Sequence, residues 1–246
     1  MKKTLLLTFV LALVFTAQAQ ELRFAVISDT HIGKPDAART LRQVVRAINR
    51  DTQIRFVLHL GDVSDNGLRN EYRKARRILS RLKQPLYVTT GNHDAKQPER
   101  YANFRRAFGT GEFRFEYDGI RFLGLTTGPF EANRHATMPD DEIARLARAS
   151  RDTLPTVIAA HHTPDLVAHH ETIFPRIDTS HIVLWLAGHL HCNKTSPTIP
   201  GPSAVCISTL EHGSYNIVEI SGNELRIGVT SPGKGSLTIW YTQNFK

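Results

Sequence analysis

From residue 22 the chain alternates short apolar runs with segments of helical period. LRFAVIS at 22–28 is apolar at almost every position and reads as a strand covered on both faces. In the segment that follows, Leu41, Val44, Val45 and Ile48 recur at three- and four-residue steps, which predicts a helix over 36–50 with one buried face. IRFVLHL at 54–60 is a second strand. Tyr72, Ala75, Leu79 and Leu82 line a helix over 69–83, and PLYVTT at 85–90 is a third strand. Strand–helix–strand order implies parallel pairing through right-handed crossovers.

After a short helix near 98–108 the texture changes. FRFEY and IRFLGLT flank Asp118-Gly119, a dipeptide suited to a hairpin turn. A helix over 139–150 opens on Pro139, Asp140, Asp141 and Glu142, acids that complement a helix N-terminus. TVIAA at 156–160 and HIVLWLA at 181–187 return to the strand pattern. Runs at 203–209, 214–220, 224–230 and 236–242 then read as a closing β-meander. The expected fold class is α/β: a two-sheet β-sandwich flanked by helices.

The first 19 residues do not belong to this pattern. Lys2 and Lys3 precede an apolar stretch from Leu5 to Phe15 and a small-x-small ending, Ala17-Gln18-Ala19. The stretch is shorter than the about 20 residues of a membrane span. It reads as a secretory signal peptide, with one domain over 20–246. The expected location is therefore exported, periplasmic or secreted, with no stable membrane anchor once the signal is cleaved. The formal charge of +8 is spread along helical stretches such as YRKARRILSRLK. It forms no dense basic tract interleaved with aromatics, so no nucleic-acid-binding module is expected, while a mild positive field favours a small anionic substrate. The two cysteines, Cys192 and Cys206, are too few to build a fold, although an oxidising compartment permits a bond between them.

Chemistry gathers at the C-terminal ends of the apolar strands, where open α/β sheets place their sites. The first strand runs into Asp29 and His31, the second into Asp62 and Asp65, and the third into Asn92, His93 and Asp94. The strand at 156–160 runs into His161 and His162, and the one at 181–187 into His189 and His191. Aspartate, asparagine and histidine together suit Mn, Fe or Zn and match Ca²⁺ poorly. Seven such candidates exceed what one ion takes from protein while keeping a reactive position open. Two ions about 3.5–4 Å apart, sharing a carboxylate, fit better.

The motifs D-x-H, G-D-x-x-D, G-N-H-D, H-H-x-P and G-H-x-H, in this order from Asp29 to His191, resemble those of the calcineurin-like metallophosphoesterase superfamily. The resemblance implies two divalent or trivalent metal ions. Asp29, His31, Asp62 and His191 hold one, and Asp62, Asn92, His161 and His189 the other, with His162 as the alternative to His161. It also implies that His93 protonates the leaving alkoxide or orients the phosphate, that Asp65 holds its ring, and that Asn92 stands at the substrate as well. Serine/threonine phosphatases of the superfamily carry arginine directly after G-D-x-x-D. Asn66 stands there, with Lys34 and Lys96 nearby and Arg134 farther along. That departure, with the FRFEYDGIRFLGLTT segment, is nearer the small bacterial phosphodiesterase-like branch. Diesters, cyclic nucleotides among them, are the expected substrates; a phosphomonoesterase or a non-catalytic binding relic of the same fold are the alternatives. Glu211 and His212 are candidates for the rim of the site. His59, His135, His169, His170 and His181 match no motif and are expected to be structural or superficial.

Overall fold

The computed structural model describes residues 21–129, 135–196, 204–206 and 213–245. The signal-like segment, Arg134, Glu211 and His212 therefore lie outside the described residues. β1 (Leu22–Ile27), β2 (Val57–His59) and β3 (Leu86–Val88) pair in parallel, connected by α1 (Ala37–Arg50) and α2 (Arg69–Leu79). After α3 (Ala102–Phe108), β4 (Phe113–Tyr117) and β5 (Ile120–Gly124) form the hairpin around Asp118-Gly119. α4 (Asp140–Ala149) and β6 (Thr156–Ala159) follow, then α5 (His170–Ile173) and β7 (Ile182–Ala187). The remaining strands are β8 (Lys194–Ser196), β9 (Ala204–Cys206), β10 (Tyr215–Ser221), β11 (Glu224–Thr230) and β12 (Thr238–Asn244).

The strands form two six-stranded sheets, in the orders β12-β11-β10-β1-β2-β3 and β4-β5-β6-β7-β9-β8. Strand alternation explains how they stack. Phe24 and Val26 of β1 and Leu58 of β2 point inward and meet Phe122, Val157 and Leu184 of the other sheet. Ala25, Ile27 and Val57 point outward and are covered by Leu41, Val44, Val45 and Ile48 of α1 and by Tyr72, Ala75 and Leu79 of α2. The second sheet is covered likewise, with Leu123, Ile158 and Trp185 packed against Leu146 and Ala149 of α4. Each β1 residue thus loses its water on one face or the other, which is why the strand shows little polar alternation.

Two expectations need correction. Residues 204–206 do not open the meander: they pair in parallel with β7 in the second sheet, while only β10–β12 form the antiparallel ribbon, on the free side of β1. β8 pairs antiparallel with β9 at the edge and was not read from the sequence, because three residues carry too little pattern. The helix expected over 69–83 ends at Leu79, where Ser80 takes over the last helical bonds.

Candidate metal centre

The loops after β1, β2, β3, β6 and β7 converge on one edge of the sandwich. The two sheets are tied together there by direct contacts. His161 Nδ1–H donates to Leu60 O at 2.7 Å and His189 N–H donates to the Asp29 carboxylate at 3.1–3.2 Å, while within the second sheet Gly188 N–H donates to His161 O at 3.0 Å. Two glycines permit the close approach: a Cβ on Gly91 would overlap the Asp62 carboxylate, and one on Gly188 would overlap Ser28 and Asp29.

Five of the seven candidate ligands hold a backbone that side-chain-bearing residues rarely adopt. Asp29, His31, Asp62, His189 and His191 have φ of 52°, 42°, 53°, 66° and 55°. Such conformations cost of order 1–3 kcal/mol each and persist where the surroundings impose them, typically at functional sites. This turn chemistry aims consecutive loop side chains at one point.

The carboxylates of Asp29 and Asp62 are buried. Asp62 Oδ2 lies 3.3 Å from His161 Nε2 and 3.9 Å from His31 Nε2. Asp29 Oδ1 lies 3.2 Å from His191 Nε2 and 4.0 Å from His31 Nε2. Asn92 Oδ1 lies 3.1 Å from His161 Nε2 and 3.0 Å from His189 Nδ1. His161 Nε2 also lies 3.9 Å from Asp29 Oδ1, so the donors form overlapping clusters in which Asp29 with His31 and His191, Asp29 with Asp62 and His161, and His161 with His162 and His189 each lie close enough to share an ion. Of the histidine pair, His161 turns Nε2 to the carboxylates. His162 bonds Thr127 Oγ1 through Nδ1 at 3.1 Å and packs its ring 4.6 Å from that of His189.

The donor set fits cations on its own evidence. His31 Nε2 is buried, has no hydrogen-bond partner among the described residues, and stands about 4 Å from two carboxylates. That is too long for a hydrogen bond and suits two coordination bonds of about 2.0–2.2 Å meeting at one ion. Burial opposes a charge on His161, yet Asp62 and Asp29 outweigh it and raise its pKa to about 9. Burial likewise opposes ionisation of Asp29, but His161 and the His191 hydrogen bond hold that carboxyl well below its ordinary range. Burial and the neighbouring His161 push His189 down to about 4. Without an ion the cluster keeps a proton on His161, and a cation competes for that position. The Nδ1–H bond to Leu60 O fixes the tautomer that frees Nε2 for such a cation.

His93 stands beside the groups. Its backbone N–H donates to Asp62 Oδ1 at 2.8 Å, and its Nδ1–H donates to Asp65 O at 2.8 Å. Asp65 Oδ1 sits 3.3 Å from His93 Nδ1 and 3.2 Å from His31 Nδ1, between the two rings but without a hydrogen bond to either. Asn66 turns its amide onto Asp65 and Glu71, each at 3.2 Å, and Lys96 Nζ donates to Asp65 O at 2.9 Å. Lys34 lines a small cavity with Thr30 and His31.

Sequence reasoning missed three supports. Asp94, fully buried, accepts from the backbone N–H groups of Gly91 and Ser64 at 2.9 and 3.2 Å and from the Tyr72 hydroxyl at 2.7 Å, clamping two ligand loops together. Burial and the nearby Asp62 push its pKa up to about 7. Glu71 accepts from Ser64 Oγ and from the Asn66 N–H at 2.6 and 3.0 Å. His59, buried behind Asp29 and Asp62, bonds Thr30 Oγ1 at 3.1 Å, and burial drives its pKa down to about 3. Asp94 stood in view within G-N-H-D without a role, and the only signal for Glu71 and His59 was a polar residue inside a helical or apolar run. Cys192, half-buried after His191, is a free thiol.

A two-sheet sandwich whose strand ends collect aspartate, asparagine and histidine around a shared carboxylate defines a metal-binding phosphoesterase class of site. Residues 22–193 match the model of the calcineurin-like phosphoesterases, and the chain belongs to that family. It is 28% identical over 154 residues to the 3′,5′-cyclic adenosine monophosphate phosphodiesterase CpdA of Pseudomonas aeruginosa, covering 56% of this chain and 54% of the relative. It is 29% identical over 165 residues to a probable cyclic nucleotide phosphodiesterase of Synechococcus sp., covering 62% of each. The chain thus spans little more than half the length of these curated relatives. Among solved structures it is similar to a dimetal phosphatase from Danio rerio, with a TM-score of 0.70 at 13% identity over 92% of this chain and 99% of that one, which is a likeness of fold.

Proposed function

We propose that the chain is an exported, metal-dependent hydrolase of small phosphodiesters that uses two ions. The observation that carries this reading is the gathering of histidine nitrogens around the two buried carboxylates of Asp29 and Asp62, with His93 held alongside. Asp29, His31, Asp62 and His191 would hold one cation, and Asp62, Asn92, His161 and His189 the other. Bound there, the cations supply Lewis acidity toward a phosphate ester and acidify a water.

The protein's own residues do the rest. His93 gives its Nδ1–H to Asp65 O, so Nε2 is the free ring nitrogen, and in the imidazolium form it would give its proton to the departing alkoxide and leave the neutral ring. Asp65 fixes that ring, and Asp62, through the His93 N–H, fixes the backbone beneath it. The preference for diesters follows from charge. A monoester is close to a dianion at neutral pH, and a guanidinium fork grips it through two hydrogen bonds. Asn66 is committed to Asp65 and Glu71, and Lys96 is a single point charge. The phosphodiesterase names of the two curated relatives support the same reading.

The test compares kcat/KM for bis(p-nitrophenyl) phosphate and p-nitrophenyl phosphate on Mn²⁺-loaded protein, before and after chelation. Chelation abolishes both activities, and the diester is favoured. A monoester preference of about tenfold or more, equivalent to about 1.4 kcal/mol in transition-state binding, overturns the diester reading. Export rests on residues 1–19, and the mass of the protein recovered from outside the cytoplasm tests it: cleavage leaves Gln20 as the first residue.

A further inference from the structure

α1 and α2 lie side by side on the same face of the first sheet. Their C-terminal ends are joined through Asn49, whose Nδ2 donates to Arg81 O at 2.7 Å and whose Oδ1 accepts the Lys83 N–H at 2.9 Å. One side of each helix is turned onto the sheet, so the opposite sides form a single outer surface. That surface carries one sign of charge. Arg39, Arg42, Arg46 and Arg50 recur at three- and four-residue steps along α1. Arg69, Arg73 and Arg77 recur at four-residue steps along α2, with Lys74 and Arg76 between them. All are exposed except Arg42, which is half-buried.

No acid answers them. α1 contains none, and the one in α2, Glu71, is buried and accepts from Ser64 and Asn66. Asp51, just past α1, pairs with Arg23. Of the basic residues on the two helices only Arg39 makes an ion pair among the described residues, with Asp36 at 3.2 Å. A surface made only to stay in water mixes both signs, and a helix made only to be stable sets opposite charges four residues apart. Here Arg42, Arg46 and Arg50 repel one another in series, and so do Arg69, Arg73 and Arg77. Arg39 and Arg69 also stand in first turns, where the helix dipole disfavours a cation. The fold keeps this charge against its own stability, which marks a surface for an anionic partner.

A bilayer with anionic headgroups fits that surface better than a nucleic acid does. Each helix lies along the sheet, so neither projects to enter a groove. α1 has no aromatic residue and Tyr72 of α2 is buried, so nothing there stacks on bases. Leu68, one of two large apolar side chains exposed among the described residues, directly precedes Arg69 and offers lipid an apolar contact. No helix among the described residues is long and apolar enough to cross a membrane, so the contact is peripheral.

We propose that the α1–α2 face docks the protein reversibly on a membrane surface rich in anionic phospholipid. This docking is independent of the phosphodiesterase reading, because the measurement is of binding alone. The full chain is sedimented with vesicles of phosphatidylglycerol and phosphatidylcholine in equal parts, or of phosphatidylcholine only. Residues 1–19 are common to every sample, so any pull of that apolar segment shows on the neutral vesicles. Wild type binds the anionic vesicles more tightly than the neutral ones. Raising salt from about 0.1 M to about 1 M shortens the screening length from about 10 Å to about 3 Å and removes that excess. The variant Arg46→Gln/Arg50→Gln/Arg73→Gln/Arg77→Gln binds the anionic vesicles at least about 100-fold more weakly, since each basic side chain near such a surface contributes about fivefold. Its Tm holds or rises, because repulsion within each stripe is relieved. Equal binding of wild type to both vesicles, or an excess that survives high salt, overturns the docking. Wild-type-like binding by the variant also overturns it and leaves the charge to the steering of anionic substrates. Tighter binding of wild type to a mixed-sequence DNA duplex than to the anionic vesicles, at equal phosphate concentration, overturns it in favour of a nucleic acid.

Discussion

The two sheets contribute to the metal centre in different ways. The loops of the first sheet bring Asp29, Asp62 and Asn92 together with one imidazole, His31; those of the second bring imidazoles only, His161, His189 and His191. The first set is fastened from within its own half: Asp94 collects the N–H groups of Gly91 and Ser64, and Glu71 accepts from the Asn66 N–H and the Ser64 hydroxyl. The second set is fastened across the gap, His161 to Leu60 O and the His189 N–H to Asp29. Exposure does not follow the same division: the side chains of Asp29 and His161 are both at 0%, while that of His191 is at 32%. The acidic half is a preformed frame, and the imidazole half takes its position from that frame. Damage to the frame should therefore disable both groups, while damage to the imidazole half should stay local.

The strongest way to break this division is at Asp62. Asp62→Ala removes the one side chain common to both groups and the acceptor of the His93 N–H. Turnover is expected to fall to background and metal stoichiometry to drop by more than one ion, read by metal analysis of the purified protein. Loss of a single ion would show that the groups do not depend on a common carboxylate. Next in size is His93→Ala, at about 10²–10⁴ in kcat, the usual worth of a positioned proton donor. Metal content should stay at the wild-type level, because the backbone N–H that meets Asp62 survives the substitution. A lost ion would make His93 a ligand.

Much of this was legible because the relevant patterns are local. The helical face of Leu41, Val44, Val45 and Ile48, the turn at Asp118-Gly119, and ligand types repeated after each apolar run all lie within a few residues of one another. What was not legible depends on contacts distant in sequence. Nothing around residues 204–206 says that they pair with β7 rather than with the ribbon that follows. Asp94 stood in view within G-N-H-D, but its role depends on Ser64 and Tyr72, 30 and 22 residues away.

Asp94 is also the frame's own test. Asp94→Asn keeps the shape but puts an NH₂ group where backbone N–H donors converge. A loss of about 10–100-fold in metal affinity or activity is expected, as for outer supports of metal ligands elsewhere. If His161→Ala loses as much from the Asp62-sharing group as Asp94→Asn does from both, the frame has no priority.

Above about pH 7, where Asp94 of the frame is already ionised, the imidazole half should be the pH-sensitive one. His161 has its folded pKa raised to about 9 from an ordinary 6.5. The stabilisation that comes with its proton is fully present below pH 6.5 and is lost as pH rises through 9. Metal-free protein should therefore lose Tm between pH 6.5 and 9. Protein loaded with Mn²⁺ should not, because the ion takes the deprotonated ring. Identical pH profiles with and without metal would place the proton elsewhere.

The smallest expected effect tests how far the first sheet reaches into the imidazole half. Asn216 on β10, fully buried, donates through Nδ2 to Asn193 Oδ1 at 3.2 Å and accepts the Trp240 indole N–H at 2.8 Å. Asn193 follows His191 by two residues, so this link ties the outermost ligand loop to a strand paired with β1. Asn216→Ala leaves the indole N–H without that acceptor, costing about 1–3 kcal/mol. For a domain of this size each kcal/mol corresponds to about 2–4 °C in Tm. Beyond that loss, the group containing His191 should bind its ion less tightly, by under about tenfold, while the group containing His189 and Asn92 is unchanged. Titration of metal-free protein with Mn²⁺ separates the two. If both affinities fall together, the loops after β7 are held by the frame as a whole rather than by this one link; if only Tm falls, the link belongs to the fold and not to the metal centre.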